Sequence, residues 1–360
     1  NLQLVRILNT TFSSDSSKDD GGAIYSWNTD SLFIDNSTFD GNISTDGNGG
    51  AITFKGDENS TLYCEIKNTT FENNSGGWGG AIAAFEPINM NIYSVFATGN
   101  KASGNGGFIE LCCGASVSIT NSTIYNNDSN NNDLNGCSDC KMFVTNSIIW
   151  KDKIGGPSDA TIEITYSDIE GGWDGEGNID ADPHFIDAAN GDYHIGDYSP
   201  CIGAGVYSAQ FDDTWYYAPS TDLDGNPRPN PAGSMPDMGA YENPRATPQH
   251  APEPFELVFP FDSTHIGITR HNYLDTLYFA WNKAIDIDGD AVRYRPILTG
   301  DLTRFFLITS NTDTTIWKIP YHHVEHYMHT EGIEFAQGTW TMVASDGGMD
   351  TYASNGPFLL

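Results

Sequence analysis

The sequence predicts an all-β protein: a right-handed parallel β-helix, pectate-lyase-like in form, followed by a β-sandwich. Three observations lead there. The first 170 residues repeat with a step of 20–32 residues. Gly (38 residues) and Asn (31, of which 22 precede position 147) are abundant, and both favour turns over helices. A proline-rich stretch near residue 250 ends the repeat and opens a different pattern.

The repeat comes first. Gly-Gly-Ala-Ile stands at 21–24, 49–52 and 79–82, then as Gly-Gly-Phe-Ile at 106–109, at steps of 28, 30 and 27. A second signature ends on an apolar residue: Asn9 to Phe12, Asn36 to Phe39, Asn68 to Phe71, a degraded Tyr93 to Phe96, Asn121 to Ile124, Asn146 to Ile149 and Tyr166 to Ile169. About seven units result. Each holds short alternating pieces such as Leu32-Phe33-Ile34 and Val117-Ser118-Ile119, which are strand-sized and bounded by turn residues. A helical repeat would not tolerate this much Gly, Asn and β-branching. Stacked coils satisfy the pattern, because every short strand pairs above and below. Seven coils at about 4.8 Å make a rod of roughly 34 Å. The Gly-Gly pairs belong where the backbone turns tightly or leaves no room for Cβ. The closing apolar residue points inward, and Asn9, Asn36 and Asn68 are placed to stack as an amide ladder.

These residues resemble the repeats of chlamydial-type polymorphic outer-membrane proteins, which are surface β-helices. The stretch Ile164 to Glu242 resembles the end of secreted bacterial β-helix proteins of the choice-of-anchor type. The resemblance lies in Tyr166-Ser167-Asp168-Ile169-Glu170-Gly171-Gly172, Ala181-Asp182-Pro183-His184-Phe185, Asp222-Leu223-Asp224-Gly225-Asn226-Pro227-Arg228 and Asp237-Met238-Gly239-Ala240-Tyr241-Glu242. It covers about two thirds of the chain and implies a secreted or cell-surface protein, without implying catalysis. The β-helix is therefore expected over 1–242, with a capping region from about 170. Residues 243–254 hold four prolines and read as a stiff linker.

Residues 255–360 have the size of one β-sandwich. The expected strands are Phe255–Phe259, Leu277–Trp281, Val292–Ile297, Phe305–Thr309, Thr315–Ile319 and Thr339–Ser345. Phe279-Ala280-Trp281, Asp286 to Asp290 and Ala344 to Gly348 resemble fibronectin-III or cadherin-like modules of secreted bacterial proteins.

Charge narrows the function. With 48 Asp+Glu against 16 Lys+Arg the net charge is −32. That excludes the basic footprint of a nucleic-acid binder and attraction to an anionic membrane surface. No apolar run is long enough to span a bilayer, and the first residues lack the shape of a signal peptide. The chain reads as a mature or incomplete piece of a longer polypeptide. Arg is absent from 7 to 227, and the seven Lys in that stretch show no stacked or paired set. A polysaccharide lyase of β-helix form needs a cationic base. A glycoside hydrolase needs two carboxylates at a fixed separation, and no such motif stands out. The expectation is thus a non-catalytic adhesin or a structural subunit of an extracellular fibre or layer. The alternative is a carbohydrate-active β-helix enzyme.

Candidate sites follow. Asp286, Asp288 and Asp290 around Gly289 offer oxygen ligands for Ca²⁺. Ile297 occupies the position where an EF-hand carries Glu, and an acidic hairpin turn explains the same letters. Asp222 and Asp224 share this chemistry; Asp174, Glu176, Asp180 and Asp182 form a weaker cluster. Cys112 and Cys137 each stand 12 residues before the closing Ile124 and Ile149, so they fall on adjacent coils. Bridges 112–137 and 113–140 are expected, with a local 137–140 bridge as the alternative, and they fit an oxidising extracellular place. Adjacent cysteines suit zinc poorly. Cys64 and Cys201 read as unpaired. His322, His323, His326 and His329 crowd what reads as a solvated loop; the alternative is a metal site, with His322 and His326 on one face if the segment is helical. Asn-x-Ser/Thr sequons at 9, 36, 42, 59, 68, 73, 121 and 127 read as coil-turn and ladder residues rather than glycan sites. Trp78, Trp150, Trp173, Trp215, Tyr216 and Tyr217 could stack on sugars or fill turns. Open coil ends suggest end-to-end self-association, and a glycan or host-surface ligand is the other partner class.

Overall fold

A computed structural model describes residues 4–56, 62–85, 87–305 and 312–360. The chain divides into two compact units, Asn1–Pro248 and Gln249–Leu360. Nearly all of the regular structure is strand.

The first unit is a parallel β-helix of about five turns. One face stacks Leu4–Leu8, Ser31–Asp35, Leu62–Glu72, Ile88–Thr98, Ser116–Thr120, Lys141–Thr145 and Thr161–Thr165. A second face holds six strands, from Ile24–Trp27 to Ile154–Gly155, and a third holds four, from Ser16–Ser17 to Lys101–Ala102. The seven repeat units thus leave a rung each in the long face, while the shorter late units drop out of the third.

Register explains the sequence. Ile34, Ile66, Ile92, Ile119, Val144 and Ile164 form one inward column. Phe12, Phe39 and Phe71 form another, with rings stacked 4.9 Å apart and within 9° of parallel, which is the coil spacing. In the fourth coil this position is held by Ala97, not by the expected Phe96. The unit is shifted by one because Ser94 takes the left-handed corner (φ 50°) that Asn36, Asn68, Asn121 and Asn146 take elsewhere. Asn suits that conformation because its short polar side chain tolerates it. Phe96 points outward, against Tyr193 at 4.7 Å.

The glycine pairs divide their labour. Gly21, Gly49, Gly79 and Gly106 have φ of 60–74°. The second glycine lies under the next coil: a Cβ on Gly22, Gly50 or Gly80 would come within 2.0–2.1 Å of the carbonyl oxygen of Gly50, Gly80 or Gly107.

The amide ladder exists, but its buried part is elsewhere. Asn36 Nδ2 donates to Asn9 Oδ1 at 2.6 Å on an exposed edge, and Asn68 turns to Asp35 instead. The buried ladder is Asn42, Asn74, Asn100 and Asn127, each donating to the next at 2.8 Å. It stands three residues past the inward column and ends on Asp152, whose Oδ1 accepts from Asn127 N. Two sequons, at Asn42 and Asn127, are therefore buried ladder positions; Asn59 lies outside the described residues.

The region from 170 onward closes the last coil and also doubles back. Trp173 packs on the core end, and Asn178 bonds to Ile164 O and Ser167 N. The hairpins Phe185–Asp187/Asp192–Ile195 and Ser208–Phe211/Thr214–Tyr217 cover outward aromatics of the long face, with Phe143 stacked on Phe211 at 5.0 Å. Ala240 N donates to Thr123 Oγ1, and Asn121 Nδ2 to Asp237 O. These outward apolar side chains need cover, which an end cap alone could not give. Arg228 is locked here: its side chain is buried against Glu242 at 3.1 Å and the carbonyls of Asp237, Gly239 and Ala240.

The expected linker is held at both ends. Asn243 N donates to Asp237 Oδ2 in the first unit, and Gln249 Nε2 donates to Asp290 Oδ2 in the second.

The second unit consists of antiparallel sheets that fit a sandwich. One pairs Leu257–Phe259, Thr276–Trp281 and Ile316–Pro320; the other pairs Arg293–Leu298, Thr339–Ser345, Asp350–Tyr352 and Phe358–Leu359. Phe279 meets Trp340 edge-on at 5.0 Å in the core. Positions 306–309 of the expected strand Phe305–Thr309 lie outside the described residues, and Leu302–Phe305 is a helical turn. The histidine-rich segment is a helix, Tyr321–Glu331, closed by left-handed Gly332, rather than a loop. Its partly buried Tyr321 and Val324 face the core, and this packing settles the helix where letter composition suggested a turn.

Candidate functional site

The carboxylates read as calcium ligands are largely engaged by the fold, although Asp286 Oδ2 is buried without a hydrogen-bond partner. Asp286 Oδ1 accepts the backbone N–H groups of Asp288 and Asp290 at 3.0 and 3.1 Å, tying a turn around Gly289 (φ 87°). Asp288 accepts from His250 N and Asp290 from Gln249 Nε2. Asp222 is buried and accepts from Asn226 N, Asn226 Nδ2 and Glu242 N at 2.7–3.1 Å. Asp224 Oδ2 meets His194 Nε2 at 2.8 Å. Asp180 and Asp182 accept from Gly171 N and His184 N. Among the described residues no group of three or more His, Cys, Asp or Glu is arranged to hold a metal ion.

His194 is a feature that the sequence reasoning missed. Its ring lies between Asp192 and Asp224 and 4.1 Å from Tyr241. Burial opposes its charged form, but the two carboxylates together outweigh burial and hold its pKa above the usual value. Asp192 and His194 lie two apart on the strand Asp192–Ile195, but Asp224 comes from a turn 30 residues further on, so no local spacing signalled the set.

The cysteines come together without bonding. Cys112 ends the strand Ile109–Cys112, and Leu111 pairs with Gly136, so Cys112 and Cys137 occupy equivalent places on neighbouring coils, as expected. The expected bridges 112–137 and 113–140 are not formed: all six cysteines are free thiols. The sulfur contacts include 3.2 Å for 112/113 and 3.4 Å for 137/140, against about 2.05 Å for a bond. Left-handed Cys113 (φ 59°) turns its backbone N–H onto Cys137 Sγ at 3.1 Å. Cys64 lies in the core, and Cys201 is buried beside Asp168 at 3.3 Å.

Two aromatic pairs stand out from the surface. Trp215 and Tyr217 lie two residues apart on Thr214–Tyr217 and are 52% and 68% exposed, while Tyr216 between them packs on Phe143 and Phe211. Tyr25 and Trp27 on Ile24–Trp27 are about half exposed, with rings 6.3 Å apart. The first pair was legible as a run of aromatics. The second was overlooked, although alternation in Ile24-Tyr25-Ser26-Trp27 points both rings outward. Trp78 is exposed, whereas Trp150 and Trp173 pack on cores.

Burial raises the pKa of several carboxyl groups. Burial lifts Glu110 to about 7 against the opposing pull of Asn135, and lifts Asp168 to about 7. Asp237, with Glu242 adding to burial, rises to about 8. All three are enclosed: Glu110 bonds Asn135, and Asp237 holds the backbone N–H groups of Gly203 and Asn243. Among the described residues no helix is long and apolar enough to cross a membrane.

No family model matches the chain, and neither curated proteins nor solved structures yield a match.

Proposed function

We propose that this chain is a non-catalytic extracellular or cell-surface protein, an adhesin whose β-helix displays aromatic platforms for a glycan. The observation that carries this reading is Trp215 and Tyr217, held outward on a hairpin whose other face is anchored on Phe143. Side chains two apart on one strand face the same way, and flat exposed rings stack on the apolar faces of sugars. The engaged state of the acidic turns and the enclosure of the raised-pKa carboxyls favour binding over hydrolysis. Affinity electrophoresis through a panel of acidic and neutral polysaccharides tests it. Retardation that is lost in Trp215→Ala/Tyr217→Ala supports the reading. Release of reducing or unsaturated ends would favour a carbohydrate-active enzyme instead.

A structural-subunit reading rests on a different observation. Leu4–Leu8 pairs on one side with Ser31–Asp35, and Leu4, Val5 and Leu8 are exposed. Such an edge accepts a further coil, whether from a preceding segment of chain or from a second copy. Sedimentation with and without a chelator checks both this and the expected role for Ca²⁺. A single monomeric species in both conditions counts against assembly, and a chelator-independent profile counts against calcium.

A further inference from the structure

We propose that Cys112, Cys113, Cys137 and Cys140 form a thiol–disulfide exchange site, in which Cys137 is the attacking sulfur, Cys140 resolves it, and the substrate is a small or protein disulfide.

Cys137 is the hub of the cluster. Its sulfur lies 3.4 Å from Cys140 Sγ and accepts the backbone N–H of Cys113 at 3.1 Å. The nucleophile of disulfide exchange is a thiolate, and Cys137 is the sulfur that both Cys140 and the Cys113 backbone reach. The spacing Cys137-x-x-Cys140 is closed as a turn by Cys140 N donating to Cys137 O at 3.1 Å. Bringing the two sulfurs into a bond needs a movement of about 1.4 Å, within reach of side-chain rotation. Access is graded in the right order: Cys113 is exposed, Cys137 is partly exposed and Cys140 is buried. The resolving thiol is thus shielded from solvent reagents. Burial, followed by its neighbour Cys137, pushes Cys140 up to about 12, so it stays protonated until a sulfur is presented to it. Cys64 and Cys201 are fully buried and lie outside the cluster.

The electrons balance as follows. The Cys137 thiolate attacks one sulfur of the substrate disulfide, forming a mixed disulfide and releasing one thiolate. Cys140 gives its proton to the first released thiolate and attacks the Cys137 sulfur, which closes the 137–140 bridge and releases the second thiolate, which takes a proton from water. The protein loses two electrons, and the substrate disulfide is reduced to two thiols. Cys112, on the neighbouring coil, can then displace Cys140 from Cys137 with no net electron change. That would convert the local bridge into one that staples two coils.

The test uses the reduced full chain, equilibrated in mixtures of oxidised and reduced glutathione, unfolded in acid, alkylated and weighed. The expected result is two alkyl adducts fewer than the six of the reduced chain, with every bridge mapped by peptide analysis containing Cys137. Cys137→Ser should keep all of its remaining adducts, and Cys64→Ser should still lose two. Six adducts under oxidising conditions, or a bridge without Cys137, would overturn the proposal. So would protection that a chelator reverses and a reductant does not. The wild-type map decides even if a variant fails to fold.

Discussion

Asn100 is the rung whose removal reads the buried ladder most directly. Its Oδ1 accepts from Asn74 N at 3.0 Å and Asn74 Nδ2 at 2.8 Å. Its Nδ2 donates to Phe71 O and Asn127 Oδ1, both at 2.8 Å. In Asn100→Ala, Asn74 Nδ2 keeps Phe39 O, and Asn127 Oδ1 keeps the Asn100 backbone N–H. The Asn74 N–H is left without an acceptor and Phe71 O loses a donor, both at fully buried positions. Two buried groups at about 1–3 kcal/mol each give a loss of about 4 kcal/mol. Asn36→Ala is the control: its amide bond to Asn9 is exposed, so only the left-handed backbone matters, at about 1–2 kcal/mol. Urea unfolding followed by circular dichroism measures both. A loss below about 1 kcal/mol for Asn100→Ala, or one no larger than for Asn36→Ala, refutes the ladder as the source of coil stability.

Three further outcomes follow from the same geometry. Asp152→Asn should stabilise the protein by about 2 kcal/mol at pH 8, because burial raises the Asp152 pKa and its Oδ2 has no partner, while an amide would extend the ladder; destabilisation would show that the carboxyl is needed. Glu110 has a folded value of about 7 against 4.5, so its contribution is present below about pH 4.5 and lost as pH rises through 7. Denaturation of Glu110→Gln across this range should show it gaining up to about 3 kcal/mol on the wild type, and a pH-independent difference would contradict this. Gly80→Ala should cost more than about 3 kcal/mol by thermal melting, since its Cβ would meet Gly107 O at 2.1 Å, whereas Gly267→Ala, with open space around it, should stay within about 0.5 kcal/mol.

The coil architecture was legible because a stacked fold writes its geometry into the chain at a fixed step. Most left-handed corners take Asn, each inward site an apolar side chain, and the close coil-to-coil approaches Gly. Those demands are local, so the Gly-Gly column and the Phe12–Phe39–Phe71 stack could be named in advance. The buried ladder was missed because Asn42, Asn74, Asn100 and Asn127 sit in degenerate turn sequences, while the exposed Asn9 and Asn36 share the more regular motif.

What the sequence alone determined, then, is the class of fold, the repeat register and the meeting of Cys112 with Cys137 on adjacent coils. The tertiary structure decided the rest. It turned the segment after 170 back along the long face, because Phe96 and Phe143 point outward and require cover. In doing so it joined His194 to Asp224 and Asp222 to Glu242. It also aimed the Cys113 N–H at Cys137. Such contacts join residues through packing and backbone angle, and neither quantity is periodic along the chain.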